Sequence, residues 1–206
     1  MKIRPRNRRI GILLSGRGSN FEAIAENVAK GRLEAEIAVV ISNIESAPGL
    51  ARARELGLNA LYIPSKGRQR EAFDEEIAGA LSGADIGLVV LAGFMRIFSR
   101  VMLEAYPNLI LNIHPSLLPA FPGRDVQQQA VHHGVKFSGC TVHFVNETLD
   151  GGPIVLQAAV PVLDSDTPAT LAARILVEEH RIYSEAIDLV LSGRCELDGR
   201  RVRTAG

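Results

Sequence analysis

The sequence has no net charge: 23 Lys and Arg stand against 23 Asp and Glu among 206 residues. A dedicated nucleic-acid binder carries a basic excess, so this balance argues against one. Also missing is any apolar run of the roughly 18 residues that a membrane span needs. The longest runs, residues 10–14 and 86–92, are strand-sized. Two cysteines without CxxC spacing, Cys140 and Cys195, are too few for a disulfide scaffold and read as buried thiols. Five bases precede the first apolar run. No separate apolar segment with a small-residue cleavage site follows them, so a cytoplasmic protein is expected. There is no internal repeat and no low-complexity segment. What is present is 47% hydrophobic and 22% charged, the makeup of one globular domain, and a chain of this size buries about 70% of its unfolded surface.

The neutrality is a cancellation. Residues 1–9 hold five bases, and residues 193–206 hold four bases against two acids. That leaves 14 bases against 21 acids in residues 10–192, a net of −7. The two ends, 1–8 and about 195–206, read as solvated basic tails, the second with room for a small hairpin around Asp198 and Gly199. Any anion site must therefore be built locally in an acidic body.

The first half alternates strand and helix patterns: strands at 9–14, 36–42, 59–63, 86–91 and 109–113, and helices at 20–30, 48–56, 69–81 and 99–105. Ser99 is a candidate N-cap for the last of these. The second half differs. Residues 114–123 hold three prolines and read as an ordered loop, followed by a helix at 126–133. Strands at 138–146 and 154–162 flank the Asp150-Gly151-Gly152-Pro153 turn, and a long amphipathic helix spans 168–192 behind Asp166 and Thr167. The expected fold is α/β: a single-domain open twisted sheet, mostly parallel in the N-terminal half with an antiparallel C-terminal extension, and helices on both faces.

Three places carry chemistry. Ser15-Gly16-Arg17-Gly18-Ser19-Asn20 follows a strand and opens a helix, where backbone N–H groups and close-approaching glycines suit a phosphate. It is not a dinucleotide fingerprint, because Phe21 stands where a third small residue is needed and Ser42-Asn43 offers no acid for a ribose. The plainer alternative is a capped tight turn. Asn112 and His114 end a buried strand on one face, two residues apart, where an amide and an imidazole can polarise a carbonyl and move a proton. The alternative is a structural pair that fixes the loop. Asp150 is either a turn former or a carboxylate that keeps an imidazole charged. His132, His133, His143 and His180 carry weaker signals, and no zinc-ligand spacing occurs, so no metal is expected.

Taken together, Gly16-Arg17-Gly18-Ser19-Asn20, Met95-Arg96, the string from Asn112 through His114 to Pro119, Cys140 to Val145 and Leu149 to Pro153 resemble the folate-dependent formyltransferases of the phosphoribosylglycinamide type, enzymes of purine synthesis. The resemblance runs from about Arg9 to Arg203. The Asn-x-His-Pro-Ser-Leu-Leu-Pro string with a later Asp is shared across the superfamily, so it specifies formyl transfer more tightly than the acceptor. Relatives that formylate methionyl-tRNA or hydrolyse the donor carry an additional domain, and a chain of this length is expected to lack one.

The resemblance implies catalytic roles for Asn112, His114 and Asp150. It implies that Gly18, Ser19 and Asn20 bind the acceptor's phosphate, with Glu179 near its amine. It places 10-formyltetrahydrofolate, the one-carbon donor, along Arg70, Met95, Arg96, Ile97 and Phe98, at Asn112, and along Asn146, Glu147, Thr148, Leu149 and Asp150. Small molecules are the expected partners of a monomer or homodimer, with no nucleic acid and no membrane. Two positions depart from the family pattern: Gln127 stands where a histidine is usual, and Phe98 where leucine is common. Two other readings remain open, a formyltransferase for another amine such as a nucleotide-linked amino sugar, and a binding module without chemistry.

Overall fold

The computed structural model describes residues 1–204. Its elements run β1 (Arg9–Leu14), α1 (Ser19–Ala29), β2 (Glu36–Ser42), α2 (Pro48–Glu55), β3 (Ala60–Tyr62), α3 (Arg70–Gly83), β4 (Leu88–Leu91), α4 (Arg100–Ala105), β5 (Ile110–His114), α5 (Val126–His133), β6 (Phe137–Phe144), β7 (Ile154–Pro161), α6 (Pro168–Leu191), β8 (Cys195–Asp198) and β9 (Arg201–Thr204). They form one nine-stranded sheet in the order β3-β2-β1-β4-β5-β6-β7-β9-β8. Strands β1 to β5 are mutually parallel, and β6 pairs antiparallel with both β5 and β7. This is the expected α/β architecture.

The strands are apolar on both sides because both faces are covered. Side chains alternate along each strand. Ile10, Ile12 and Leu14 of β1 join Val40, Leu88 and Val90 in a core under α1 and α6. Leu13 joins Val39, Ile41, Val89 and Leu91 in a second core under α3 and α4. Helix α6 is set by Thr167, whose side chain accepts from the Thr170 N–H in a reciprocal cap with Pro168 in the first turn. Its buried residues Leu171, Ile175, Glu179, Ile182, Tyr183, Ala186, Ile187 and Val190 recur at helical spacing. Glu179 is the one acid in that apolar stripe. The Tyr183 hydroxyl lies 2.9 Å from the Leu91 carbonyl and 3.1 Å from that of Leu111, which pins α6 to β4 and β5.

Successive crossovers leave β1 toward β2 and β3, and the next passes back to β4 on its other side. The carboxyl ends of β1 and β4 therefore flank the switch point of the sheet, where open α/β folds form their crevice. The Ser15 N–H donates to the Gly93 carbonyl across it (3.1 Å).

The small hairpin expected around Asp198 and Gly199 is present as β8 and β9 and continues the sheet beyond β7, but the chain ends are not solvated tails: Ile3 is buried in the core and Lys2 bridges to Glu196. The apolar residues interleaved with the bases, Ile3, Leu197 and Val202, give these ends a core to join, and charge alone did not reveal this.

Candidate active site

The turn after β1 opens α1 through Gly18, whose φ of 78° lies in the left-handed region. Its missing Cβ also matters, because one there would lie 3.1 Å from Gly49 Cα at the start of α2. Among the described residues no side chain caps this end of α1, the kind of helix end that can hold an anion. Asn20 turns the other way. Its Nδ2 donates to Glu179 Oε2 at 2.8 Å, and its own Oδ1 is buried without a partner among the described residues. Burial pushes the Glu179 carboxyl up, while the Asn20 hydrogen bond and the nearby His114 pull it down. Of the residues expected to hold the acceptor, Gly18 and Ser19 thus form the open turn, and Asn20 and Glu179 form a buried pair beside it.

Asn112 and His114 lie at the end of β5 and pair with His143 and Thr141 of β6. Asn112 Nδ2 lies 3.1 Å from His143 Nε2. His114 is buried, with Nε2 2.9 Å from the Phe121 carbonyl and Nδ1 3.5 Å from Asp150 Oδ2. Both ring nitrogens therefore face oxygen atoms. The loop after β5 is held inward by Ser116 Oγ on the Ala120 carbonyl (2.6 Å) and by Thr141 Oγ1 on the Ser116 carbonyl (2.7 Å).

Asp150 reaches this cluster from the turn before β7. Its φ of 50° is uncommon for a residue with a side chain, and its Oδ2 accepts from the Gly123 N–H at 2.8 Å. The turn can close only on glycine: a Cβ on Gly152 would sit 1.7 Å from the Phe144 carbonyl oxygen. Asp150 Oδ1 is 3.8 Å from His143 Nε2. Burial holds the His143 pKa below the ordinary histidine value, against the upward pull of the Phe144 carbonyl and Asp150.

Beside the cluster opens a small cleft of about 90 Å³. Arg96, Ile97 and Phe98 form one wall, Asn112 and His143 lie in it, and Asn146, Thr148, Leu149 and Asp150 close it. Phe98 stacks on Phe94 with ring centroids 5.5 Å apart. Three residues expected on the donor side do not line this cleft. Arg70 is exposed at the start of α3, Met95 is 68% exposed, and Glu147 pairs with Arg100 at 3.2 Å. Gln127 is half-buried in the first turn of α5. Among the described residues no group of three or more His, Cys, Asp or Glu could hold a metal ion, and no helix is long and apolar enough to cross a membrane.

Sequence reasoning underrated His143. Its signal is the cross-strand register, which pairs it with Asn112, and a β-bulge opposite it re-aims the strand. Ser15, named within the turn after β1, was given no role of its own. Its Oγ donates to Asn43 Oδ1 (2.6 Å) and accepts from the Met95 N–H (2.8 Å), joining the turn after β1 to the segment after β4.

Comparison with known proteins gives the family. Residues 8–187 match the formyl transferase family model. The chain is 40% identical to the phosphoribosylglycinamide formyltransferase of Escherichia coli, over 96% of this chain and 97% of that protein. It is 43% identical to the human trifunctional purine biosynthetic protein adenosine-3 over 92% of this chain, and it spans only 19% of that protein's length. The crystal structure of glycinamide ribonucleotide transformylase 1 from Symbiobacterium toebii superposes with a TM-score of 0.95 at 53% identity, covering 97% of this chain and 95% of the other. The chain belongs to the formyl transferase family.

Proposed function

We propose that the chain transfers the formyl group of 10-formyltetrahydrofolate to the amine of phosphoribosylglycinamide, a step of purine synthesis, acting in the cytoplasm as a monomer or homodimer on small molecules alone. The observation that carries the reading is the pairing of Asp150 with His114, Oδ2 3.5 Å from Nδ1, beside a cleft that Asn112 and Asp150 line. Family membership and the likeness to named phosphoribosylglycinamide formyltransferases support it.

The open N-terminus of α1 at Gly18 and Ser19 takes the acceptor's phosphate, and the buried Asn20–Glu179 pair lies toward its amine. The cleft beside Arg96, Ile97 and Phe98 takes the donor. The amine nitrogen attacks the formyl carbon, and the carbonyl electrons move onto oxygen. Asn112 Nδ2–H and protonated His114 stabilise that oxyanion once the ring turns from the Phe121 carbonyl. Asp150 supports the charged ring and passes the amine's proton, through water, toward the departing folate nitrogen as the carbon–nitrogen bond breaks. The enzyme forms no covalent intermediate, and holding both reactants together supplies much of the rate.

The test is a spectroscopic assay of donor consumption with and without phosphoribosylglycinamide, repeated with His114→Ala. Acceptor-dependent turnover that falls more than about 100-fold in the variant, with substrate binding kept, is the expected result. Turnover with a nucleotide-linked amino sugar and none with phosphoribosylglycinamide would replace the acceptor. A His114→Ala variant as fast as the wild type would overturn the mechanism.

A further inference from the structure

Asp74 is a buried carboxylate outside the catalytic cluster. It lies on α3, is 1% exposed, and spends both of its hydrogen bonds on one residue. Its Oδ2 accepts from the Ser99 N–H at 2.6 Å and from Ser99 Oγ at 2.7 Å. Its Oδ1 is buried with no partner among the described residues. Ser99 sits at the N-cap of α4 yet makes no cap bond with its side chain. The hydroxyl that would ordinarily satisfy α4 is turned back to Asp74 instead. Burying a carboxylate is costly, and a purely structural role here would be served as well by an apolar side chain and a capping serine.

What Asp74 holds is the end of the donor-side wall. Residues 94–99 have no regular secondary structure. Among the described residues two of their backbone N–H groups are tied down, Met95 on Ser15 Oγ (2.8 Å) at the near end and Ser99 on Asp74 at the far end. Between these ties lie Arg96, Ile97 and Phe98, which line the cleft. The neighbouring residue Phe73 extends the same support: Phe94 stacks on it at 6.5 Å, and the Arg96 guanidinium lies 5.7 Å over its ring. The wall is a short span fixed at both ends, and the far fixture is one carboxylate oxygen.

We propose that Asp74 is a positioning residue for the formyl donor: through Ser99 it fixes the span that carries Arg96, Ile97 and Phe98 and so sets the affinity of the donor cleft. The inference rests on the reading of that cleft as the donor site. Asp74 touches neither reactant, so its loss affects donor binding and spares both acceptor binding and the chemical step.

The experiment compares Asp74→Ala, Asp74→Asn and Ser99→Ala by steady-state kinetics against each substrate, with calorimetric binding of a non-reactive reduced folate in parallel. Because both bonds end on one oxygen, an asparagine oxygen in that place keeps both. Asp74→Ala should raise the donor KM and the folate Kd about tenfold, the equivalent of about one net hydrogen bond, with kcat and acceptor KM unchanged. Asp74→Asn should restore near wild-type values, and Ser99→Ala should fall between. Unchanged donor KM and Kd in Asp74→Ala, or an equal loss in kcat and in both KM values, would overturn the proposal. If Asp74→Ala does not fold, Ser99→Ala decides by the same donor-only criterion. A wild type that binds the folate without transferring formyl removes the functional reading and leaves the inference to the Kd comparison. A normal wild type with variants that match it removes the inference alone.

Discussion

Asn112 and His143 face each other across β5 and β6, with the amide nitrogen 3.1 Å from the imidazole Nε2. The other ring nitrogen, Nδ1, lies 3.0 Å from the Phe144 carbonyl, which can only accept, so Nδ1 carries the proton. Nε2 is then an acceptor, and Asn112 must present its NH₂ to it. The neutral imidazole thereby decides which way round the Asn112 amide sits.

That relationship makes His143 testable by pH. Burial holds its pKa below the ordinary value, so on acidification the unfolded chain takes up a proton that the native state refuses. This contributes instability that grows as pH falls below the unfolded pKa of about 6.5 and levels off below the native one. Replacing His143 by Gln should flatten the stability–pH curve in that window by at most about 1.4 kcal/mol per pH unit, read from urea midpoints at several pH values. A parallel slope in wild type and variant would show that the fold does not lower the His143 pKa.

Asp150→Asn keeps an oxygen for the Gly123 N–H and removes the charge beside His114. The melting temperature should move little while kcat falls on the order of 10²–10⁴-fold. An unchanged kcat would reduce Asp150 to a turn residue.

Gly152→Ala tests how the turn delivers that carboxylate. A methyl group 1.7 Å from the Phe144 oxygen forces the backbone apart. Thermal unfolding should report a loss of about 2–4 kcal/mol together with lost activity. Gly79→Ala is the control: it lies in α3 with nothing within 4 Å of the added carbon, and should be neutral or gain up to about 1 kcal/mol.

Both cysteines should be inert in the native protein. Cys140 and Cys195 lie in the core, and burial pushes the Cys140 thiol up to about 12 and raises that of Cys195. A thiolate reagent at pH 8 should label neither until denaturant is added, after which both react. Fast labelling of the folded protein would show that the core opens locally.

Much of the fold is legible along the chain, because strand and helix order depends on local periodicity and on turns such as Gly18 and Gly31. The expected strand at 36–42 and helix at 126–133 coincide with β2 and α5. Asn112, His114 and Asp150 are also readable as candidates, because they lie in contiguous strings, the first two at the end of a strand and the third in a glycine turn. Arg70, Met95 and Glu147 show the limit: position beside a motif does not say whether a side chain turns into the cleft or out to solvent.

The sequence by itself determined the alternating architecture, the glycine turn that opens α1 and the strings that carry the formyltransferase likeness. Only the tertiary structure decided that His143 orients Asn112, that Asp74 grips Ser99 25 residues away, and that the basic ends close onto the sheet edge. These depend on antiparallel register and on packing between distant segments, where one-residue shifts reverse the facing side. No local pattern encodes them.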